Sequence, residues 1–210
     1  MLFRSALTVR VCDSVTCELF GANQLFTALS DVLDGRVRVQ RVPCVGRCDQ
    51  APVAVVGQRP VPRAKVATVN ALVYDGRQAF ELSNAWIGLA DYCMQGGYLL
   101  YQQCHDGTCD PEVIISALES SGLRGLGGAG FPAGRKWRIL KEQSSPRLMA
   151  VNIDEGEPGT FKDRVYLERD PHRFLEGVLI AAKVVGIDTC YLYVRDEYPG
   201  VLAVDRKSVV

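Results

Sequence analysis

Four of the eight cysteines in this 210-residue chain fall in two close pairs, Cys12-Asp-Ser-Val-Thr-Cys17 and Cys44-Val-Gly-Arg-Cys48. Each pair follows a strand-like run. Leu7-Thr-Val-Arg-Val alternates apolar and polar residues before the first, and Val37 to Val42 precedes Pro43 and the second. Both pairs therefore sit where a strand runs out into a loop, so they are expected to converge on one point. Four thiolates around a small volume suit either structural zinc or an iron–sulfur cluster. Gly46, inside the second loop, would let backbone N–H groups point at sulfur and offset its negative charge. Buried, reduced cysteines are common singly, but two pairs on loops do not read that way.

The other cysteines read differently. Cys104-His-Asp-Gly-Thr-Cys109 repeats the first spacing but has no second pair to complete a tetrad, and its Asp106-Gly107 marks a turn. Cys93 and Cys190 read as ordinary packed residues.

Around the two pairs the pattern predicts a helix over Glu18 to Leu33, ended by Asp34-Gly35, and a third strand over Ala51 to Val56. Gly57 to Pro60 reads as a turn and Arg63 to Val73 as a closing helix. The order β-α-β-β-α is half-thioredoxin in character and defines a first domain over residues 6–76. Residues 77–118 form a connector with weak signals. It ends in a helix opened by Asp110-Pro-Glu, with a capping residue and proline at its first position.

Gly122 to Trp137 follows, Gly-Leu-Arg-Gly-Leu-Gly-Gly-Ala-Gly-Phe-Pro-Ala-Gly-Arg-Lys-Trp. Glycine lets the backbone take φ > 0 and bring N–H groups close to a ligand, and with Lys136 such a run makes a phosphate cradle. A P-loop needs Ser or Thr after its lysine, and Trp137 stands there. The pattern G-x-G-x-x-G is present at Gly125, Gly127 and Gly130, but a helix precedes it where a Rossmann fingerprint needs a strand. A flexible linker does not account for the interleaved Arg124, Phe131, Lys136 and Trp137.

Beyond the run, Leu148 to Ile153 is a continuous apolar strand of the kind buried in a parallel sheet. It delivers Asn152, Asp154, Glu155 and Glu157 at its carboxyl end. A helix from Asp170-Pro171 to Gly186 and a strand from Thr189 complete a βαβ unit. Ligands of open α/β sheets bind beyond the carboxyl ends of the strands, so the acidic and glycine loops are expected to face one crevice. Against a nucleotide, the carboxylates serve as acceptors for hydroxyl and N–H groups. Asp163 and Arg164 read as a solvated turn, and His172 as a structural residue with no visible partner. This half is assigned to residues 119–204.

Charge narrows the function classes. Lys+Arg and Asp+Glu both number 24, so the formal net charge is zero and no basic run points to nucleic acid. The longest apolar stretch, Val178 to Ile187, carries Lys183 and is too short to span a bilayer. No signal peptide is recognisable, and the chain reads as cytoplasmic. Both ends look foreign. Asp205 to Val210 is what the sequencing-adapter sequence GATCGGAAGAGCGTCGTG encodes, and Leu2 to Ser5 fit its reverse complement, so a gene fragment is expected.

Two sets of motifs carry a resemblance. Cys-x₄-Cys followed by Val-Pro-Cys-Val-Gly-Arg-Cys resembles the thioredoxin-like [2Fe–2S] ferredoxin of the small flavoprotein-fraction subunit of respiratory complex I. The glycine run and Asn-x-Asp-Glu-Gly-Glu-Pro-Gly-Thr-Phe-Lys-Asp-Arg resemble the FMN- and NADH-binding flavoprotein of complex I, shared with NAD-reducing hydrogenases and NAD-dependent formate dehydrogenases. The fusion of both in one chain looks most like the β subunit of a molybdenum- or tungsten-dependent formate dehydrogenase.

The resemblance implies an α/β protein, with a thioredoxin-like [2Fe–2S] domain followed by the N-terminal part of an FMN-binding, Rossmann-like domain. It implies Cys12, Cys17, Cys44 and Cys48 as cluster ligands, and Gly125, Gly127, Gly128, Lys136, Asn152, Asp154 and Glu155 as FMN-contacting positions. Phe131 matches an aromatic that stacks on the adenine of NADH, and Glu157 a carboxylate near the nicotinamide. Lys136 and Glu157 are thus the residues expected nearest the chemistry, which is hydride transfer between nicotinamide and flavin with no protein nucleophile. Leu126 and Ile139 depart from a frequent Arg and a second stacking Phe, differences that bear on nucleotide affinity. Implied partners are NAD(H) and a formate-oxidising catalytic subunit. The family's later nucleotide motif and [4Fe–4S] cysteines are expected only in a missing C-terminal part.

Overall fold

Alternation makes Leu7–Cys12 (β1) the middle of a sheet, with Val9, Val11 and Cys12 buried. In this computed structural model, which describes residues 7–76, 78–80 and 86–208, β1 pairs in parallel with Val37–Val42 (β2), in the register Leu7↔Val37 to Cys12↔Val42. On its other side it pairs antiparallel with Ala54–Val56 (β3), which pairs in turn with Arg59–Val61 (β4). The sheet order is β2-β1-β3-β4. Leu2 to Ser5 and Val209-Val210, parts of the ends expected to be adapter-derived, lie outside the described residues.

Two local expectations are corrected. The helix expected over Glu18 to Leu33 is two helices, Val15–Leu19 (α1) and Ala22–Val32 (α2). Between them Gly21 turns the chain at φ 90°, a conformation that disfavours any residue with a Cβ. α2 then buries Ala22, Leu25 and Leu29, spaced three, four and seven apart, against the sheet. The turn expected over Gly57 to Pro60 is instead a tight hairpin whose second arm is β4. Pro60 pairs opposite Val55, and because β4 is the last strand its missing N–H costs no central ladder bond. Val66–Tyr74 (α3) closes this layer with Val69, Leu72 and Val73.

The chain divides into two compact units. One lies within Met1–Asn84, Asp154–Glu168 and Val194–Val210, and the other comprises Ala85–Ile153 and Arg169–Tyr193. The connector's weak signals resolve into Leu89–Met94 (α4) and Leu99–Asp106 (α5), in the second unit. There Pro111–Ser121 (α6) starts as its sequence predicts, with the Asp110 side chain accepting from Glu112 N–H and Pro111 at the first position. Ala133–Lys141 (α7) packs on α6 so closely that a Cβ at Gly134 would lie 2.6 Å from the Glu119 backbone.

Leu148–Ile153 (β5) and Thr189–Val194 (β6) form a two-stranded sheet. After Lys162–Arg169 (α8) comes the long helix of the second unit, Pro171–Val185 (α9). Ile115, Cys104 and Val184 form a buried centre in that unit. His172, read from sequence as lacking a partner, is buried with its Nδ1 3.1 Å from the Tyr98 hydroxyl, between Trp86 and Tyr92. Pro199–Ser208 (α10) ends the described chain. Among the described residues no helix is long and apolar enough to cross a membrane.

Candidate functional site

β1 and β2 end side by side, Cys12 opposite Val42, and this register brings the two cysteine loops together. Cys44 and Cys48 sulfurs lie 3.4 Å apart, and Cys12 is within hydrogen-bonding reach of both Cys17 and Cys44. Cys12, Cys17 and Cys44 are buried, while Cys48 is half-buried. As free thiols, Cys12, Cys17 and Cys44 influence one another's protonation. Donation from Cys17 and Cys44 holds Cys12 far below the usual thiol range, whereas the bond to Cys12 pushes Cys17 and Cys44 up.

The sulfurs run as a chain of neighbours. Among the described residues, no group of three or more His, Cys, Asp or Glu is placed around a single-ion position. Two backbone amides already address the sulfurs. Gly46 N–H donates to Cys44 Sγ at 3.4 Å and Gly159 N–H to Cys48 Sγ at 3.1 Å. Four thiols in two pairs with amide donors are the donor set a [2Fe–2S] cluster takes.

The Gly159 contact introduces the second part of the site. The segment Asp154–Glu168, together with the start of α10, belongs to the same unit as the cysteines. Glu155 has φ 35°, a left-handed conformation uncommon outside glycine, and its carboxylate is buried. That carboxylate accepts from the N–H groups of Asp163 and Arg164 at the start of α8, at 2.9 and 3.2 Å, and from the Tyr198 hydroxyl at 2.9 Å. It caps the helix and sits at the favourable end of its dipole. Burial, and then the Glu155 carboxylate, push the Tyr198 phenol above its usual value.

Glu157 is exposed. Arg164, expected in a solvated turn, is instead buried, because α8 presents it to the cluster loop. Its guanidinium donates to Gly46 O at 2.9 Å and to Asp49 at 2.7 Å. Arg195 likewise donates to Cys44 O at 2.6 Å and to Glu155 O at 2.7 Å. Gly46, at φ 67°, is where the Tyr198 ring comes closest, leaving no room for a Cβ.

In the other unit, the glycine run is a short closed loop. Gly125 N–H donates to Phe131 O at 3.0 Å and Arg124 Nη1 to Gly130 O at 2.9 Å, so the loop's two arms are tied. Between them Gly128 and Gly130 take φ 94° and 60°. A Cβ at Gly127, Gly128 or Gly130 would meet nothing within 4 Å, so these glycines face open space. α7 follows without a side-chain cap, and Lys136 and Phe131 are exposed at its start. Open glycines, a helix start without a side-chain cap and a lysine fit a phosphate-bearing group such as FMN.

The structure therefore places the sequence-derived residues in two sets. Cys12, Cys17, Cys44 and Cys48 share a unit with Asp154, Glu155 and Glu157, whereas Gly125, Gly127, Gly128, Phe131, Lys136 and Asn152 lie in the second. Arg164, Arg195, Tyr198 and Gly159, which touch the cysteine loop or its neighbours, were not singled out by sequence. An arginine inside a short polar run gives no local sign of burial.

Residues 4–77 match the thioredoxin-like [2Fe-2S] ferredoxin family, and residues 118–209 the Nuo51 FMN-binding domain. The chain is similar to the F subunit of NADH-quinone oxidoreductase from Aquifex aeolicus (strain VF5), 42% identical over 57% of this chain and 28% of that protein. It is also similar to the F 2 subunit of NADH-quinone oxidoreductase from Rhizobium meliloti (strain 1021), 45% identical over 52% and 26%. It thus spans about a quarter of the length of these curated relatives. Among solved structures it is similar to a chain of an NAD+-reducing [NiFe]-hydrogenase in the air-oxidized state, with a TM-score of 0.77 and 32% identity over 96% of this chain and 40% of that one. The chain accordingly has the fold of a thioredoxin-like [2Fe–2S] ferredoxin domain followed by a domain similar to the Nuo51 FMN-binding domain.

Proposed function

We propose that the chain is a diaphorase module that moves electrons between NAD(H), FMN and iron–sulfur clusters. The observation that carries this reading is the seating of Asp154–Glu168 on the cysteine loop. The segment bearing the expected flavin contacts Asp154 and Glu155 also gives the Gly159 N–H that donates to Cys48 Sγ at 3.1 Å. A segment that lines one redox group while bonding a ligand of the next is what short-range electron transfer asks of a protein. Bound FMN exchanges electrons in pairs or singly and a [2Fe–2S] cluster takes them one at a time, which is why the two domains belong together.

The chain's own residues then have binding and orienting tasks. Cys12, Cys17, Cys44 and Cys48 hold the cluster as thiolates. Gly125, Gly127 and Gly128 leave room for a phosphate against backbone amides, with Lys136 as its counter-charge. Asn152, Asp154 and the Glu155 backbone orient the flavin ring. Phe131 offers a stacking face for adenine, and Glu157 a carboxylate for the nicotinamide side.

We assign the direction as NAD+ reduction with electrons from formate, delivered by a separate molybdenum- or tungsten-containing subunit. The fused order of the two domains supports that assignment. A second reading, the diaphorase subunit of a hydrogenase, is favoured by the likeness over 96% of this chain to a chain of an NAD+-reducing [NiFe]-hydrogenase.

The test is anaerobic purification followed by NADH-dependent ferricyanide reduction with added FMN. Activity that is lost in Lys136→Ala and retained in Leu126→Ala supports the reading. Zinc in place of iron, with FMN bound but no turnover, would identify a zinc-stabilised binding module. Co-expression with a formate- or a hydrogen-oxidising catalytic subunit then separates the two donors by which complex reduces NAD+.

A further inference from the structure

Around the cysteine loop, buried charge is distributed unevenly. Arg47, Arg164 and Arg195 are all buried. Their carboxylate partners lie nearer solvent. Side-chain exposure is 4% for Arg164 against 35% for Asp49 and 23% for Glu168, and 7% for Arg195 against 40% for Glu197. Arg47 shares Glu168 at 2.9 Å, and its Nε finds no hydrogen-bond partner. Glu155 is the deeply buried carboxylate here, and it is satisfied by amides and by Tyr198.

Charges near solvent are screened by water and salt, whereas buried ones are not. Among the described buried groups around the loop, three guanidinium groups stand against the single carboxylate of Glu155, so buried positive charge prevails. Two of the guanidinium groups also make the loop's shape. Arg195 Nη2 donates to Cys44 O and Arg164 Nε to Gly46 O, so the carbonyls of the Cys44–Cys48 turn point at cations and its amides are free to turn toward sulfur.

We propose that Arg164 and Arg195 are positioning residues that raise the reduction potential of the cluster on Cys12, Cys17, Cys44 and Cys48. Reduction adds one electron and no proton, so the cluster and its thiolates gain one negative charge. Permanent positive charge held in a low-dielectric environment stabilises the reduced form relative to the oxidised one. Arg195 serves a further purpose. Through Glu155 O it ties the cluster loop to the segment expected to contact the flavin, so a single side chain fixes both ends of the electron's path. This proposal rests on the four cysteines being the cluster ligands.

The test is a dithionite redox titration of the full chain, followed by electron paramagnetic resonance, with iron and sulfide assayed on each sample. Arg164→Gln and Arg195→Gln are expected to lower the equilibrium constant for cluster reduction about tenfold each, a downward shift of about 59 mV for a one-electron couple. Arg195→Lys, which keeps the charge, is expected to stay within threefold of wild type. Asp49→Asn removes a partner of Arg164 and is expected to shift the potential upward.

A merely structural role would not give opposite signs for Arg164→Gln and Asp49→Asn. Shifts of the same sign, or changes below twofold in all variants, overturn the proposal. If the glutamine variants lose iron, the decision passes to Asp49→Asn and Arg195→Lys. An upward shift in the first with little change in the second supports it, and an unmoved Asp49→Asn overturns it. A wild-type chain without iron and sulfide overturns the ligand assignment itself, a failure the assay separates from an intact cluster with an unmoved potential.

Discussion

The loop carrying Cys44 and Cys48 and the loop from Gly125 to Gly130 both use left-handed glycines to turn the chain, yet they are built in opposite ways. At Gly46 the Tyr198 ring fills the space a Cβ would need, and two arginines donate to the neighbouring carbonyls. At Gly127, Gly128 and Gly130 nothing lies within 4 Å of where a Cβ would stand. In the first loop glycine allows the protein to close on itself, and in the second it leaves space for something else. A cluster held by four side chains needs a prearranged, dry shell. A phosphate held by backbone amides needs an open one.

Removing a ligand from the closed loop should separate the two most strongly. Cys44→Ser is expected to abolish bound iron and sulfide while leaving the glycine loop's flavin binding measurable by fluorescence. Next in size is Gly46→Ala, which combines a left-handed φ of 67° with collision against Tyr198. The expected cost is about 2–4 kcal/mol in denaturant unfolding. Gly128→Ala, at φ 94° but in open space, is expected to cost about 1–2 kcal/mol of stability, with a larger fractional loss of FMN affinity.

The unit behind the open loop has its own dependence on pH. Burial holds His172 below the usual imidazole range, so the folded state binds this proton less readily than the unfolded one. Stability from His172 is therefore complete above about pH 6.5 and falls as pH drops through the lower folded value. His172→Gln should flatten that decline in thermal unfolding scans between pH 7 and 5. Smallest of all, Leu126→Ser at the exposed tip is expected to change stability by less than about 0.5 kcal/mol. A larger effect would mean the glycine loop is packed and the contrast with the cysteine loop is wrong.

How far this was legible in the sequence depended on how local the signal was. β1, β2 and the convergence of the two cysteine pairs followed from alternation and from where the strands end. Helices α6 and α9 were announced by Asp110-Pro111 and Asp170-Pro171; Asp110 caps as expected, and the Asp170 side chain caps α9 as well. The break at Gly21 was missed because the apolar spacing continues across it, and β4 because Pro60 reads as a turn until an edge strand accommodates it. The arginine shell was not legible at all. Arg164 reaches Gly46 across 118 residues and Arg195 reaches Cys44 across 151, and only the folded chain reveals such pairings. Gly159, whose N–H meets Cys48 Sγ, looked like one more loop glycine for the same reason.

The diaphorase reading stands or falls on one chain holding a [2Fe–2S] cluster beside the segment that lines its flavin. Metal, sulfide and flavin analysis of the chain purified anaerobically, with electron paramagnetic resonance after dithionite reduction, decides it. The expected result is the iron and sulfide of one binuclear cluster per chain, a paramagnetic signal on one-electron reduction, and FMN that co-purifies or binds on addition. Zinc, or no metal, on Cys12, Cys17, Cys44 and Cys48 would contradict it, whatever the flavin content.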